Sequence, residues 1–260
     1  MKRRYYIALT VVTLCLAASL AMAVNRGLFT KAAPQEEALP DIRPVEYTPE
    51  EMVAMQELLT VYGKIDSLRV FYAAGTISVI EPADSTQNMF AQFTYAQQED
   101  SVYYRLGENR VLALPGLYLS VNDAVKKIFL SRNQKAPEAP FRMSQEKLLK
   151  LFREEGYHVE AIKGEGIKTI RLFLENHVFC KEYRLTFDDS YRIQEVYARF
   201  TNLKDPLNVN MDRIHSVKMT GWQTGNVPPG ILSAGSMVQQ QNGQMRPAAA
   251  LAAYELVSAN

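Results

Sequence analysis

The residues that could carry catalytic or metal chemistry are few, and they are scattered along the sequence. None of the three histidines, His158, His177 and His215, has a second metal-binding residue at the spacing that zinc sites use. The neighbouring acids Asp188 and Asp189 stand between two strand-like segments, where adjacent acids commonly form a turn. These positions therefore predict no metal site, no cofactor site and no catalytic residue.

The sequence motifs of the common enzyme classes give the same result. His-Glu-x-x-His, Gly-x-Ser-x-Gly and Cys-x-x-Cys do not occur in the chain. Residues 163–169 resemble a phosphate-binding loop only faintly, and because they join two strand-like segments they predict a turn. We expect a protein without enzymatic activity. A hydrolase or transferase stays open as an alternative, since distant residues can converge without a local motif.

Aromatic side chains are the more informative group. The chain has 14 tyrosines and 11 phenylalanines, concentrated in the strand-like segments. An antiparallel sheet that curls around helices can leave an apolar concavity that holds a lipid or an acyl chain. The alternative is that these rings simply fill a core. The side chains predicted to line such a cavity are Phe71, Phe93, Tyr95, Tyr104, Phe152, Phe173, Tyr183 and Tyr197.

The N-terminus predicts export from the cytoplasm. Lys2, Arg3 and Arg4 precede an apolar stretch from Tyr5 to Val24, the pattern of a bacterial signal peptide or a membrane anchor. Cleavage after the small-x-small segment 21–23 would release a soluble periplasmic protein. Without cleavage, the stretch is long enough to approach the ~30 Å of a hydrocarbon core, and residues 5–24 would tether the protein to the inner membrane. Both forms stay open.

Charge and cysteine content narrow the set of partners. Lys and Arg number 29 and Asp and Glu number 28, a formal net charge of +1, so no basic field exists to attract nucleic acid. Cys180 is the only cysteine outside the N-terminal stretch, which excludes a disulfide within the exported portion. We interpret Cys180 as a small buried side chain. An intermolecular disulfide or a reactive thiol is the alternative.

The first half of the exported portion begins with a linker and a helix. Residues 25–47 carry three prolines among mixed charges and predict an extended linker. Thr48 then suits a helix N-cap, Pro49 the first helical position and Glu51 the capping box. Gly63 predicts the end of this helix.

A run of about six short strands is predicted between residues 68 and 132. Gly75 predicts a bulge in the first of them. Asn122 and Asp123 predict a hairpin turn before the last strand. A helix from Asp123 to Leu130 is the alternative for that segment.

A second helix is predicted from the N-cap Ser144 to Gly156, and about five strands follow it up to Trp222. Consecutive strands with short turns predict an antiparallel sheet. The fold class is therefore α+β: a large, partly closed antiparallel sheet (a half-barrel) with two packed helices, besides the N-terminal signal or anchor helix. Residues 48–222 form this domain, in halves 48–132 and 143–222 that belong to one sheet or to two small domains.

The C-terminal segment, residues 223–260, differs in composition. It contains a Pro-Pro-Gly sequence, a run of three glutamines and mostly small residues, which predict disorder. A short helix over residues 248–257 could form when this tail binds an envelope protein.

The order helix, strands, helix, strands over residues 48–222 resembles the periplasmic lipoprotein carrier fold of the lipoprotein-localisation superfamily. The likeness is best from Tyr103-Tyr104-Arg105-Leu106-Gly107-Glu108 to Lys126-Lys127-Ile128-Phe129-Leu130-Ser131. The resemblance implies an unclosed antiparallel barrel with helices in its mouth. It also implies a non-enzymatic envelope protein that holds an acyl chain or another apolar ligand.

A second hypothesis is a membrane-anchored structural subunit of a trans-envelope assembly, such as a secretion or conjugation system. In that case residues 25–47 would span a gap, and residues 223–260 would bind the partner.

Overall fold

The computed structural model describes residues 46–132, 134–241 and 243–258. The predicted signal or anchor segment and nearly all of the predicted linker lie outside these residues. Within the described part, no helix combines the length and apolar character needed to cross a membrane.

Helix α1 spans Pro49–Ser67 and starts as its sequence predicts. The Thr48 hydroxyl accepts a hydrogen bond from the Glu51 amide at 3.2 Å, and the Glu51 carboxylate accepts one from the Thr48 amide at 2.9 Å. The predicted end at Gly63 is wrong, because the helix continues for one more turn. Ile65 in that turn is buried, so packing outweighs the low helix propensity of glycine.

Twelve strands of the described part of the chain form one sheet. They are β1 (Val70–Ile80), β2 (Met89–Gln98), β3 (Ser101–Leu106), β4 (Asn109–Leu114), β5 (Leu117–Asn122), β6 (Lys127–Ser131), β7 (His158–Lys163), β8 (Ile167–Phe173), β9 (Cys180–Asp188), β10 (Ile193–Phe200), β11 (Arg213–Thr224) and β14 (Glu255–Ser258). Their order across the sheet is β14-β6-β5-β4-β3-β2-β1-β11-β10-β9-β8-β7. All neighbours are antiparallel except β14 and β6. Strands β12 (Val238–Gln241) and β13 (Gln244–Pro247) form a separate hairpin.

This architecture confirms the predicted α+β class with a large, mainly antiparallel sheet and two helices. The two runs of strands meet where β1 pairs with β11, so the described strands of both halves share one sheet. The sheet is open, with β14 and β7 at its edges. The register of β1 against β11 shifts between Ala74 and Gly75, which confirms the predicted bulge. Asn122 pairs with Lys127, which confirms a hairpin and excludes the alternative helix, but the predicted two-residue turn at Asn122 and Asp123 is wrong, because Asn122 ends β5 and the turn comprises residues 123–126.

Helix α2 spans Gln145–Glu155 and confirms both predicted ends. Ser144 caps the N-terminus, and Gly156 follows the C-terminus with a φ of 71°. Leu148 and Phe152 are its buried residues.

The main core lies between one face of the sheet and α1. Alternate residues of the strands point into it, such as Phe71 and Ala73 on β1. From α1 it takes Leu58, Val61 and Tyr62, which are fully buried.

The C-terminal segment differs from the predicted disorder. Met237, Val238 and Leu251 are buried in a second cluster, packed on Leu112 and Leu119. Leu112 alternates with Ala113 of the main core, so this cluster covers the opposite face of β4 and β5. A few apolar residues at suitable positions therefore order a segment of low average hydrophobicity.

Candidate apolar-ligand site

The connector of residues 134–143 places one aromatic ring at the centre of an aromatic cluster. Phe141 is 2% exposed. Its ring centroid lies 5.4 Å from that of Trp222, 6.3 Å from those of Phe71 and Phe93, and 6.4 Å from that of Tyr95. We call these five residues the aromatic cluster. Its central ring comes from a segment that is neither helix nor strand.

The alternation of β1 and β2 explains how the sheet contributes to the aromatic cluster. Ala73 of β1 pairs with Tyr95 of β2, and the small alanine leaves room beside the phenol ring. Phe71, two residues away on the same face, stacks on Tyr95 at 5.4 Å. Tyr104 of the next strand lies 6.2 Å from Tyr95 and extends the row.

Arg142 fastens the connector to the end of α1. Its Nη2 donates a hydrogen bond to the Ile65 carbonyl at 3.3 Å, and its Nε lies 3.2 Å from Oδ1 of Asp66. Partial burial raises the pKa of Asp66, although the Arg142 charge opposes this effect. The connector is thus held by the Arg142 contacts, by the burial of Ala139 and Phe141, and by a hydrogen bond of 3.5 Å from the Tyr95 hydroxyl to the Pro137 carbonyl.

Two buried tyrosines join α1 to β9. The hydroxyls of Tyr62 and Tyr183 form a hydrogen bond, and both residues are buried. Burial raises the pKa of both phenols, and it raises that of Tyr104 to about 12. These hydroxyls stay neutral at physiological pH and cannot act as bases.

The structure brings together four of the predicted ligand-lining residues: Phe71, Phe93, Tyr95 and Tyr104. The other two that belong to the main core lie elsewhere in it. Phe152 of α2 stacks on Tyr47 at 3.8 Å, and Tyr183 packs against α1.

Phe173 and Tyr197 lie on the opposite face of the sheet. Tyr183 is paired with Leu172 and Ala198, both buried in the main core, so the adjacent residues Phe173 and Tyr197 point away from it. There the Arg171 guanidinium lies 4.5 Å from the Phe173 ring centroid. The Arg184 guanidinium lies 3.7 Å from the Tyr197 ring centroid.

Sequence reasoning missed Phe141 and Trp222 as members of the cluster. Phe141 follows a proline in a segment with the composition of a connector, and no periodicity marks it as buried. Trp222 is the only tryptophan of the chain and stands near the end of a strand. The residue type alone could have pointed to this site, because tryptophan is enriched at binding surfaces.

The His, Cys, Asp and Glu side chains of the described residues can be compared with the arrangements that metal and thiol chemistry need. Among the described residues, no three His, Cys, Asp or Glu side chains converge as metal ligands. Burial raises the pKa of the Cys180 thiol to about 12, so the reactive thiolate is scarce. His215 packs against Phe200 at 4.7 Å, and burial lowers its pKa to about 4.

An open groove adjoins the first residue of β1, at the same end of that strand as the aromatic cluster. It has a volume of about 400 Å³ and is lined by Val70, Gln98, residues 225–230, Leu232 and Ser233. Phe71 follows Val70 directly, so the groove is next to the cluster along the chain.

No family model and no curated protein matches this chain. Solved structures that resemble it include an uncharacterized conserved protein from Thermus thermophilus, with 8% identity, a TM-score of 0.38 and coverage of 78% of this chain and 98% of the other. A LolA superfamily protein from Nitrosomonas europaea has 11% identity, a TM-score of 0.31 and coverage of 70% and 99%. A putative outer membrane lipoprotein-sorting protein domain from Vibrio parahaemolyticus has 10% identity, a TM-score of 0.27 and coverage of 68% and 97%. The last two agree with the resemblance stated from the sequence.

Proposed function

We propose that this is a non-enzymatic protein of the bacterial envelope that binds an apolar ligand, such as an acyl chain, between the sheet and α1. The observation that supports this most directly is the position of Phe141. It is the central ring of the aromatic cluster, yet it belongs to a connector without regular structure. In this proposal, Phe141 occupies the place that the ligand takes.

Movement of the connector would open the site. Segments outside helices and strands commonly open at a lower free energy than the whole domain. Release of Arg142 from Ile65 and Asp66 would let Phe141 leave, and its space would then be lined by Phe71, Tyr95 and Trp222. Apolar rings with a few neutral hydroxyls suit an acyl chain.

The absence of enzymatic activity belongs to the same proposal. The aromatic cluster contains hydrocarbon rings, one indole and one phenol. The phenol, that of Tyr95, has its pKa raised by burial and remains protonated. The five rings of the aromatic cluster themselves supply neither a base nor a nucleophile.

Uptake of a fluorescent fatty acid tests the site directly. Phe141→Ala should increase the amplitude or the rate of uptake, because it vacates the proposed place. Phe141→Trp should reduce uptake, because it adds volume. The matched control is Tyr197→Ala, which removes an aromatic ring from the opposite face and should leave uptake unchanged. Uptake that is absent, or that responds equally to Phe141→Ala and Tyr197→Ala, would refute the proposal.

The location is tested by N-terminal sequencing of the native protein and by a carbonate wash of membranes. Cleavage after Ala23 gives Val24 as the first residue and a protein that the wash releases. An intact Met1 gives a protein that stays in the pellet. Both results fit an envelope protein, whereas an intact chain in the cytosol would contradict it.

The alternative function, a subunit that binds its partner through residues 223–260, has less support from the contacts. Strand β14 already pairs with β6, and Met237 and Leu251 are buried against the sheet. Folding of a disordered tail on a partner is therefore not needed to order these residues.

A further inference from the structure

In the loop between β10 and β11, residues 201–212, apolar side chains are exposed, whereas charged side chains at its base are buried. Leu203, Leu207 and Val209 are 75%, 88% and 52% exposed. Lys181 and Asp212 at its base are 2% and 1% exposed. Burial of charge costs free energy, and exposure of aliphatic side chains forgoes hydrophobic stabilisation. The loop therefore presents apolar side chains at a cost to the fold.

The buried charges hold this loop in its exposed position. The Lys181 ammonium donates hydrogen bonds to the Pro206 carbonyl at 2.7 Å and to Oδ1 of Asp212 at 3.0 Å. The Thr201 amide donates to the Phe179 carbonyl at 2.8 Å. The aliphatic side chains are thus displayed on a fixed base.

Further apolar side chains are exposed beside the loop. Val178 precedes β9, Ile80 ends β1 and Phe90 lies near the start of β2, and all three are exposed. These strand ends belong to the same end of the sheet as the loop. We call the six residues the apolar rim: Leu203, Leu207, Val209, Val178, Ile80 and Phe90.

The first turn of α1, close to the first described residue, lies at this same end of the sheet. The Glu51 carboxylate, in the first turn of α1, lies 3.1 Å from Nδ1 of His158 at the start of β7. A continuous row of paired residues runs from that histidine to the apolar rim: His158, Phe173, Glu182, Arg199, Ile214 and Ile80. Met52 and Val53 of the first turn of α1 are exposed as well.

We infer that the apolar rim docks on the surface of a lipid bilayer. Residues 5–24, the predicted signal or anchor, are followed by the predicted extended linker of residues 25–47, and the described part of the chain begins at this end of the sheet. The exposed charges of the loop, Lys204 and Asp205, cancel. Several exposed apolar side chains at one end of the sheet, beside a loop without net exposed charge, suit shallow insertion at a membrane interface.

This inference goes beyond the proposed function and does not depend on ligand binding. Phe71 and Ile80 stand nine residues apart on β1, which corresponds to about 30 Å at ~3.3 Å per residue. Docking by the apolar rim would therefore place the aromatic cluster at the far end of the sheet from the bilayer.

Fluorescence of the full chain in vesicles of phosphatidylethanolamine and phosphatidylglycerol tests the docking. Cys15→Ser and Cys180→Ala remove the native thiols, and Asn210→Cys carries an environment-sensitive fluorophore between the rim residues. Lipids with a nitroxide on the acyl chain should quench this probe. The matched control is Glu165→Cys, in the exposed β7–β8 turn at the opposite end of the sheet, which should be quenched several-fold less.

The combined change Leu203→Ser, Leu207→Ser and Val209→Ser should abolish quenching at position 210. These side chains are exposed, so the urea midpoint and fatty-acid uptake should stay unchanged. Equal quenching at positions 210 and 165 would overturn the inference, as would quenching that survives the serine changes. An unquenched probe that cross-links to another envelope protein or to a second copy would overturn it in favour of a protein interface.

Discussion

Lys181 and Asp212 form an ion pair of 3.0 Å that is almost completely excluded from solvent. The pair connects β9 with the segment that leads into β11 and holds the exposed loop of residues 201–212. Arg199 lies 3.7 Å from the second oxygen of Asp212 and supplies additional positive charge. Removal of one partner would leave the other charge buried without its closest counterion.

The first prediction concerns this pair. Lys181→Met should reduce the free energy of unfolding by about 3 kcal/mol, because it leaves the Asp212 carboxylate buried. The double variant Lys181→Met, Asp212→Leu should recover most of that loss, since two apolar side chains replace two buried charges. Urea denaturation measures both values. A double variant that loses the sum of the single effects would show that the charges act independently.

The second prediction concerns Gly75 at the bulge. A Cβ at this position would lie 2.0 Å from the Lys218 carbonyl oxygen and 2.8 Å from the Phe93 ring. The backbone cannot move far enough to remove this clash without breaking the pairing of β1 and β11. Gly75→Ala should therefore reduce the free energy of unfolding by about 2–4 kcal/mol. The matched control is Gly221→Ala on β11, where the nearest atoms are 3.8 Å away. That variant should unfold within about 0.5 kcal/mol of the wild type in urea.

The positions of Gly75 and Gly63 show which parts of the fold the sequence predicts. The bulge follows from a glycine inside a strand with period-two alternation, and the start of α1 follows from a local capping box; both signals depend on neighbouring residues. The end of α1 depends on what Ile65 contacts, which is far away in sequence. At Gly63, tertiary packing therefore outweighs the local tendency of glycine to end a helix.

The candidate site was predicted only in part for a similar reason. Aromatic residues occur on both faces of the strands, as in the adjacent pair Tyr103 and Tyr104, which pack in different clusters. Alternation shows that such neighbours face opposite sides, but it does not show which side is the core. Phe173 and Tyr197 therefore could not be assigned to their face from the sequence. Phe141 has no periodic pattern around it, so its central position depends on the full topology.

The third prediction concerns acid stability and His215. Burial, followed by repulsion from Arg213, lowers the pKa of His215 to about 4, although Glu81 opposes the shift. In the unfolded chain this imidazole takes up its proton near a pH of about 6.5. The unfolded state thus binds more protons between about pH 6.5 and pH 4, and stability falls as the pH decreases through this window. At pH 4, the free energy of unfolding that is lost through His215, relative to pH 7, should be about 3 kcal/mol.

Urea denaturation between pH 7 and pH 4 measures this dependence. His215→Gln should lose less stability over the window than the wild type. His158→Gln is the matched control, because its imidazole is largely exposed and pairs with Glu51 at the surface. An equal slope in the wild type and in His215→Gln would contradict the assignment.

The fourth prediction concerns the buried hydrogen bond between Tyr62 and Tyr183. Tyr62→Phe leaves the Tyr183 hydroxyl buried without its partner on α1. This should reduce the free energy of unfolding by about 1–3 kcal/mol. Tyr183→Phe should have a similar effect for the same reason. The double variant removes both hydroxyls, leaves no unsatisfied group and should be less destabilised than the sum of the single variants by at least about 1 kcal/mol. Guanidinium denaturation of the four proteins completes the cycle, and additive losses would show that the two hydroxyls do not depend on each other.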